Sequence, residues 1–232
     1  CINPLKERGL ERFQHPQHPL EMLTNGDKPT NTAYFRPALG GDMAILRGMA
    51  KFLLLWERQA LAEGKEAVFD HDFLNEHTAN VLEYLGQIDD TSWEEIVEQS
   101  GLTLVEIEQA ARMYAKGKNV IMCWAMGITQ HRHSVPTIQE IANLMLLRGN
   151  IGRPGAGLCP VRGHSNVQGD RTMGINERPP VAFLDALERR FQFQVPRVNG
   201  HNVVEAIHAM LEGRAKVFIG LGGNFAQATP DS

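Results

Sequence analysis

The chain has 232 residues, a formal net charge of −4 at pH 7, 43% hydrophobic residues and 22% charged residues. These values are typical of a globular protein with a sizeable core, and they argue against a protein dominated by nucleic-acid binding, which needs clustered surplus lysine and arginine. No apolar run reaches the length of a membrane span, and three widely separated cysteines favour a reducing, cytoplasmic compartment over a disulfide framework.

The first half of the chain is predicted to be largely helical after a turn-rich beginning. Positions 1–41 carry many prolines and glycines, and Cys1 and Ile2 are predicted to end a strand. Further on, apolar residues recur at helical spacing behind residues that commonly cap helices. The predicted helix starts are Asp42, Asp70 or His71, Thr91 or Ser92, and Thr103, and the last two helices are expected to end at Gly101 and Gly117.

Strands and helices alternate in the second half. The apolar runs at 119–124 and 215–221 predict buried strands, because each run is short and bounded by polar residues. Helices are predicted from Ser134 to Gly149, over 181–191 and over 202–213. Strands separated by helices predict an α/β fold in which a mainly parallel sheet is flanked by helices.

Loops rich in glycine and polar side chains follow three predicted strand ends, at 2–4, 125–130 and 222–227. In open parallel sheets, ligands bind beyond the carboxyl ends of the strands, where glycine lets a ligand approach the backbone. Free N–H groups at the start of a following helix attract phosphate. The sequence therefore predicts a nucleotide-like ligand, although none of these loops matches a dinucleotide fingerprint or a Walker A motif.

A glycine-rich segment follows the helix that ends at Gly149. It carries seven glycines from Gly149 to Gly174 and has no helical or alternating period, so a long functional loop is predicted. Its charged side chains are Arg153, Arg162, Arg171 and Asp170. Because guanidinium groups form planar bidentate pairs with pyrophosphate or carboxylate, we expect this loop to face such a ligand.

Several residues have an ordinary structural interpretation beside a functional one. His131 and His133 stand two residues apart ahead of a helix, a spacing that is not a zinc signature, and no metal ligand is predicted. Cys123 is expected in the core, and Cys159 is either a small packing residue or a reactive thiol near arginines. Met126 is expected to pack at the edge of the sheet.

The segment from Trp124 to Gly174 resembles the central region of molybdopterin-dependent oxidoreductases of the DMSO-reductase superfamily. The likeness is strongest to the catalytic subunits of formate dehydrogenases and their YdeP-type relatives. In that family a strand is followed by G-x-G-x-T-Q, a helix ending in G-N-x-G-x-P, and then A-G-x-x-P-V-R-G-x-x-N-V-Q-G. The matching residues here are Gly127, Thr129, Gln130, Gly149, Asn150, Gly152, Pro154, Ala156, Gly157, Pro160, Val161, Arg162, Gly163, Asn166, Val167, Gln168 and Gly169. Weaker likenesses are INP at 2–4, RPALGGD at 36–42 and GLGGNFAQ at 220–227.

The resemblance implies Rossmann-like α/β layers and a molybdenum bis(molybdopterin guanine dinucleotide) cofactor. Residues 1–176 would form part of one cofactor-binding domain, and 177–232 the start of a second α/β domain. In this likeness Arg162 is the catalytic residue that orients a carboxylate substrate beside the metal. The implied cofactor-binding residues are Asn3, Asp42, Met126, Gly127, Gln130, Gly163, His164, Asn166, Gln168, Gly222 and Asn224.

Three of these roles keep alternatives. Asp42 matches an aspartate that contacts guanine, but it is also a sound helix cap whatever else it does. Arg162 could instead be an ordinary exposed loop arginine. His164 departs from the glutamine common in formate dehydrogenases, and an imidazole changes both shape and protonation near the metal, which questions formate as the substrate.

The resemblance implies an internal part of a molybdenum oxidoreductase that carries out two-electron chemistry on a small, formate-like substrate. The molybdenum-ligating residue and the clustered cysteines of a 4Fe-4S centre would lie elsewhere in the protein, so this segment alone is expected to be inactive. Expected partners are the substrate, the rest of its own chain and an electron-transfer partner. The alternative is a non-catalytic nucleotide-binding or scaffold module.

Overall fold

The computed structural model describes residues 1–13, 15, 17, 19 and 28–228. Of the turn-forming residues noted within 1–41, Pro16 and Gly26 lie outside the described residues. The chain forms two compact units, residues 1–163 and 164–232. The boundary at 176 proposed for the domains of the whole protein stays a prediction.

The described part of the first unit is mainly helical and holds two small sheets. Its helices are α1 (Arg8–Glu11), α2 (Asp42–Ala62), α3 (His71–His77), α4 (Val81–Asp90), α5 (Trp93–Ser100), α6 (Leu104–Lys116), α7 (Met126–Thr129) and α8 (Ser134–Leu146). Its strands are β1 (Arg12–Phe13), β2 (Lys28–Pro29), β3 (Ile121–Trp124) and β4 (Gly157–Pro160). The described part of the second unit has helices α9 (Asn166–Thr172), α10 (Val181–Phe191), α11 (Val203–Leu211) and α12 (Phe225–Ala228). Among the described helices, none combines the length and the apolar character needed to cross a bilayer.

Local capping signals fix several helix starts, as predicted. Asp70 and Ser92 each accept a hydrogen bond from the backbone three residues ahead, and Thr103 forms a complete capping box with Glu106. Gly101 ends α5 in the left-handed conformation, with φ of 67°. These bonds span only three or four residues, so the sequence alone defines them.

The predicted caps of α2 and α8 were wrong by one residue. Asp42 and Ser134 are the first residues of α2 and α8, and the caps are Gly41 and His133, which make no side-chain cap bond. Gly41 is required because a Cβ there would lie 2.6 Å from the carbonyl oxygen of Gln99. A contact between distant backbone segments therefore decides where α2 begins.

Helix α4 was not predicted, and no side-chain bond caps its start. Its cap, Asn80, has a left-handed backbone and makes no side-chain cap bond. The carbonyls at its other end are satisfied from α2: the Lys51 ammonium donates to the carbonyl oxygens of Asp89 at 2.6 Å and Thr91 at 2.8 Å. Tertiary structure thus stabilises this helix.

Helix α2 is the centre of the core of the first unit. It packs against α4, α5, α6 and α8, and its buried side chains include Ile45 and Leu53. At Gly48, a Cβ would lie 2.7 Å from Ile107 Cγ2 and 2.9 Å from Ile96 Cγ2. The missing side chain therefore lets α5 and α6 approach α2 closely.

Asn150 joins strand β3 to this helical core. The residue is fully buried, and its Oδ1 accepts hydrogen bonds from the Val120 amide at 3.2 Å and from Arg153 Nη2 at 2.8 Å. Its Nδ2 donates to the Tyr114 hydroxyl at 3.1 Å, and that hydroxyl donates to the Leu144 carbonyl at 2.9 Å. The asparagine of the G-N-x-G motif is therefore a structural residue here.

The structure confirms a mixed α/β class, and the sheets among its described residues are small. Strands β3 and β4 pair in parallel, Ile2 forms an isolated parallel bridge with Phe35, and β1 pairs with β2 in antiparallel fashion. The predicted end of a strand at Cys1 and Ile2 corresponds to this bridge. The prediction that the strand at 119–124 is buried was wrong, since exposed and half-buried residues alternate along β3.

Two other secondary-structure predictions were wrong. The predicted loop from Gly149 to Gly174 contains β4 and α9, and the predicted strand at 215–221 is not a strand. In that run Ile219 is 84% exposed and Leu221 is 97% exposed. A strand exists only where a neighbour pairs with it, and the neighbour is not encoded in the run itself.

Candidate functional site

A cavity of about 560 Å³ lies in the first unit, where the chain start, the beginning of α2 and the end of β3 meet. Asn3, Asp42 and Gly127, all predicted to bind cofactor, line it. These residues are far apart in sequence, so the fold brings them together. The volume falls within the range of roughly 300–1,000 Å³ that is typical of small-molecule sites.

Asn3 is held by the parallel bridge at the start of the chain. Its amide N–H donates to the Phe35 carbonyl at 3.0 Å, and its side-chain Nδ2 donates to the Leu5 carbonyl at 2.6 Å. The same Nδ2 lies 3.3 Å from both the Glu7 carboxylate and the Tyr34 hydroxyl. The side-chain Nδ2 of Asn3 therefore holds the turn that follows this residue, and that turn forms part of the cavity wall.

Asp42 places a carboxylate at the amino-terminal end of the 21-residue helix α2. Gly40, with φ of 83°, and the tightly packed Gly41 lead the chain into that position. The side chain is half-buried and lines the cavity. An anionic group is favoured there by the helix dipole, and two carboxylate oxygens at a largely apolar wall can accept a pair of hydrogen bonds from a ligand.

The remaining wall of the cavity comes mostly from apolar residues of α2, β3, α7 and α8. Representative members are Ile45, Leu46, Met122, Trp124, Ile128 and Ile141. Among the described residues that line the cavity, none is lysine or arginine. The lining therefore suits a flat, neutral ring with hydrogen-bond donors better than it suits a phosphate group.

The loops that follow β3 and β4 touch each other beside this cavity. The Val161 amide donates to the Trp124 carbonyl at 2.7 Å, and Val161 lines the cavity. A Cβ at Gly163 would lie 2.6 Å from Met126 Sδ, so two predicted cofactor-binding residues are in contact. Arg162, between Val161 and Gly163, is exposed.

Other arginines near the glycine-rich segment are engaged with the protein itself. Arg153 donates to the Lys118 carbonyl at 2.6 Å and to Asn150, and Arg171 pairs with Glu177 at 3.2 Å. The expectation that these arginines serve a pyrophosphate is therefore not supported for Arg153 and Arg171, whose guanidinium groups already have acceptors.

The remaining predicted residues lie elsewhere. Gln130 is exposed and follows α7, with its amide donating to the Gly127 carbonyl at 3.4 Å. In the second unit His164, Asn166 and Gln168 are exposed in and just before α9. Gly222 has φ of 80°, and the side chain of Asn224 accepts from the Gln227 amide at 3.3 Å at the start of α12.

Sequence reasoning missed most residues of the cavity wall, among them two with side chains that can take part in chemistry. His131 and Cys123 both line it, and Cys123 is exposed rather than part of the core. The available signal was their position, since Cys123 stands in the strand whose carboxyl end was expected to face a ligand and His131 follows the loop after that strand. No group of three or more histidine, cysteine, aspartate or glutamate side chains in the described residues is arranged to hold a metal ion.

No protein-family model matches the chain. Protein YdeP of Escherichia coli strain K12 is 46% identical over 231 residues, which is 100% of this chain and 30% of YdeP. An uncharacterized oxidoreductase of Mycobacterium tuberculosis strain H37Rv is 45% identical over 232 residues, which is 100% of this chain and 29% of that protein. Formate dehydrogenase H of Escherichia coli strain K12 is 30% identical over 186 residues, which is 76% of this chain and 25% of that protein.

The likeness to YdeP extends over both units of the structure. The chain spans less than a third of the length of these relatives. Two of the three relatives are named as an oxidoreductase or a dehydrogenase, in agreement with the motif residues between Trp124 and Gly174. The chain therefore belongs to the formate dehydrogenase-like family of oxidoreductases.

Proposed function

We propose that the cavity of the first unit binds the guanine end of a molybdopterin guanine dinucleotide, and that the whole protein is a molybdenum oxidoreductase. The observation that carries the proposal is that Asn3, Asp42 and Gly127 line one cavity, although they come from three separate segments. Membership in a formate dehydrogenase-like family supports it.

The residues present fit the purine end of this cofactor. Guanine offers an N1–H and an exocyclic amine side by side, which match the two oxygens of the Asp42 carboxylate. Apolar neighbours such as Trp124 and Ile128 exclude water from such a pair and so strengthen it. The lack of lysine and arginine in the described lining fits a base rather than the pyrophosphate.

Arg162 is proposed to orient a small, formate-like carboxylate substrate. Its guanidinium offers a planar pair of donors that matches a carboxylate, and the residue directly follows a cavity-lining valine. Met126 and Gly163, which touch each other beside it, are proposed to contact the pterin. When bound, the molybdenum cofactor supplies the two-electron redox chemistry, and the protein supplies binding and orientation.

The finer fold and the wider assembly are part of the same proposal. The β3–β4 pair and the Ile2–Phe35 bridge are both parallel, which supports Rossmann-like layering in the whole protein. We propose that the second pterin nucleotide is bound around Gly222 and Asn224, and that the protein uses bis(molybdopterin guanine dinucleotide). A 4Fe-4S cluster and an electron-transfer partner would complete the path of the electrons.

A nucleotide titration tests the cavity directly. The chain is titrated with GMP, IMP and AMP by calorimetry, and we expect GMP to bind best. IMP lacks the exocyclic amine and loses one hydrogen bond to a charged group, worth about 1.5–3 kcal/mol, or roughly a 10- to 150-fold weaker affinity. Equal affinity for GMP and AMP would contradict guanine recognition.

A matched pair of variants assigns the effect to Asp42. Asp42→Asn should abolish the preference for GMP over IMP, because an amide can no longer accept both hydrogen bonds. Asp72→Asn makes the same change in the first turn of another helix, at an exposed position, and should leave the preference unchanged. If the two variants behave alike, Asp42 does not contact the base.

The whole protein tests the redox part of the proposal. Elemental analysis should find molybdenum, and extraction should release a guanine-nucleotide pterin. The Arg162→Ala variant should retain both while losing activity. Whole protein that holds guanine nucleotide but contains no molybdenum would favour the non-catalytic nucleotide-binding module instead.

A further inference from the structure

Two of the three cysteines face each other across the parallel sheet. Cys123 in β3 is paired in register with Cys159 in β4, and both residues are exposed. Their separation in sequence hid this pairing, because β4 lies within a segment that carries no strand pattern. The third cysteine, Cys1, is exposed at the start of the chain.

The spacing of neighbouring strands suits a covalent bond between these thiols. Adjacent strands lie about 4.8 Å apart, and residues paired in register project their side chains on the same face of a sheet. Disulfides join residues whose Cα atoms are about 4.4–6.8 Å apart. The two sulfur atoms already interact: partial burial raises the pKa of the Cys123 thiol, and its hydrogen bond with Cys159 raises that pKa further.

We propose that Cys123 and Cys159 form a dithiol oxidation site, which a low-molecular-weight disulfide converts to an intramolecular disulfide. This inference is independent of the proposed cofactor. It depends on the strand register and on the exposure of both cysteine residues, neither of which the family likeness supplies.

The reaction is a pair of thiol–disulfide exchanges. The Cys159 thiolate attacks one sulfur of the small disulfide, forming a mixed disulfide and releasing one small thiolate. The Cys123 thiolate then attacks the Cys159 sulfur, which closes the Cys123–Cys159 bond and releases the second small thiolate. The two protons of the protein thiols end on the two released thiols, so two protein thiols are oxidised and one small disulfide is reduced.

The bond would tie together the two strands that carry the candidate site. Strand β3 leads directly into Met126 and Gly127, while β4 leads into Arg162 and Gly163. Cys123 itself lines the cavity. Oxidation therefore acts at the wall of the cavity and fixes the distance between the bases of its two loops.

Oxidised glutathione is the probe for this site. The folded chain is incubated with it, and mass spectrometry of the intact chain and of its proteolytic peptides follows the three cysteines. We expect the Cys123 and Cys159 peptides to become cross-linked, with the loss of two hydrogens and no retained glutathione at either position. Dithiothreitol should reverse the change, and dilution of the chain should not slow it.

Single variants separate the two steps. Cys123→Ser should trap glutathione on Cys159, and Cys1→Ser should leave the cross-link unaffected. Chain unfolded in urea should lose the selectivity, since the register no longer brings the two thiols together. Glutathione retained on Cys159 in the folded wild-type chain beside a free Cys123 would overturn the proposal, and so would a cross-link that involves Cys1 instead.

Discussion

The close packing around Gly48 leads to a prediction that compares two glycines in helices. Gly48 lies in α2, and a Cβ there would be 2.7 Å from Ile107 and 2.9 Å from Ile96. Gly86 lies in α4, and a Cβ there would have no atom within 4 Å. The same substitution by alanine therefore adds a methyl group to a closely packed position in one helix and to an open position in the other.

The expected energies follow from two opposing effects. Replacing glycine by alanine inside a helix stabilises the folded state by about 1 kcal/mol through backbone propensity, and this gain is common to both positions. At Gly48 the added methyl group also overpacks a core in which Ile96 is 1% and Ile107 is 0% exposed, at a cost of about 1–3 kcal/mol. Gly86→Ala should therefore be more stable than Gly48→Ala by about 1–3 kcal/mol.

Thermal unfolding followed by circular dichroism measures this difference. For a chain of this size, 1 kcal/mol corresponds to a shift in Tm of about 2–4 °C, so the Tm of Gly86→Ala should exceed that of Gly48→Ala by roughly 2–12 °C. Wild type should lie below Gly86→Ala. Two variants that are equally stabilised would show that α5 and α6 yield freely around α2, and the account of the core would be wrong.

Two further predictions concern buried polar groups. Asn150→Ala should destabilise the chain by about 2 kcal/mol in urea unfolding, because the half-buried Val120 amide loses its acceptor and Arg153 loses one of its two. Asn150→Asp keeps that oxygen and should cost less, and equal losses would contradict this role. Burial raises the pKa of Glu140, with the Tyr84 hydroxyl and Arg47 partly opposing the shift. The unfolded chain therefore loses the Glu140 proton at a lower pH than the folded chain does. The free energy of unfolding should fall as the pH rises from the ordinary glutamate pKa of about 4.3 towards the pKa of Glu140 in the folded chain. Glu140→Gln should remove that decline, and an unchanged pH profile would refute it.

The candidate site was predictable in part, because two kinds of sequence information point to it. Loops after strand ends, together with the family motifs, singled out Asn3, Asp42 and Gly127, which the fold places around one cavity. His131 and Cys123 were not assigned to that wall, because neither residue type nor spacing reveals which side of a loop or strand faces a ligand. Whether a side chain is exposed depends on neighbours that come from distant segments of the chain.

The sequence by itself determined the helices whose ends are set within one turn. Ser92 and Thr103 each satisfy a backbone N–H three residues ahead, so short-range hydrogen bonding defines these starts. Tertiary structure decided the rest: β4 exists because β3 pairs with it, and α4 ends where Lys51 supplies donors for its carbonyls. A helix closes its hydrogen bonds with its own neighbours in sequence, whereas a strand or an unsignalled helix end depends on partners that only the folded chain brings near.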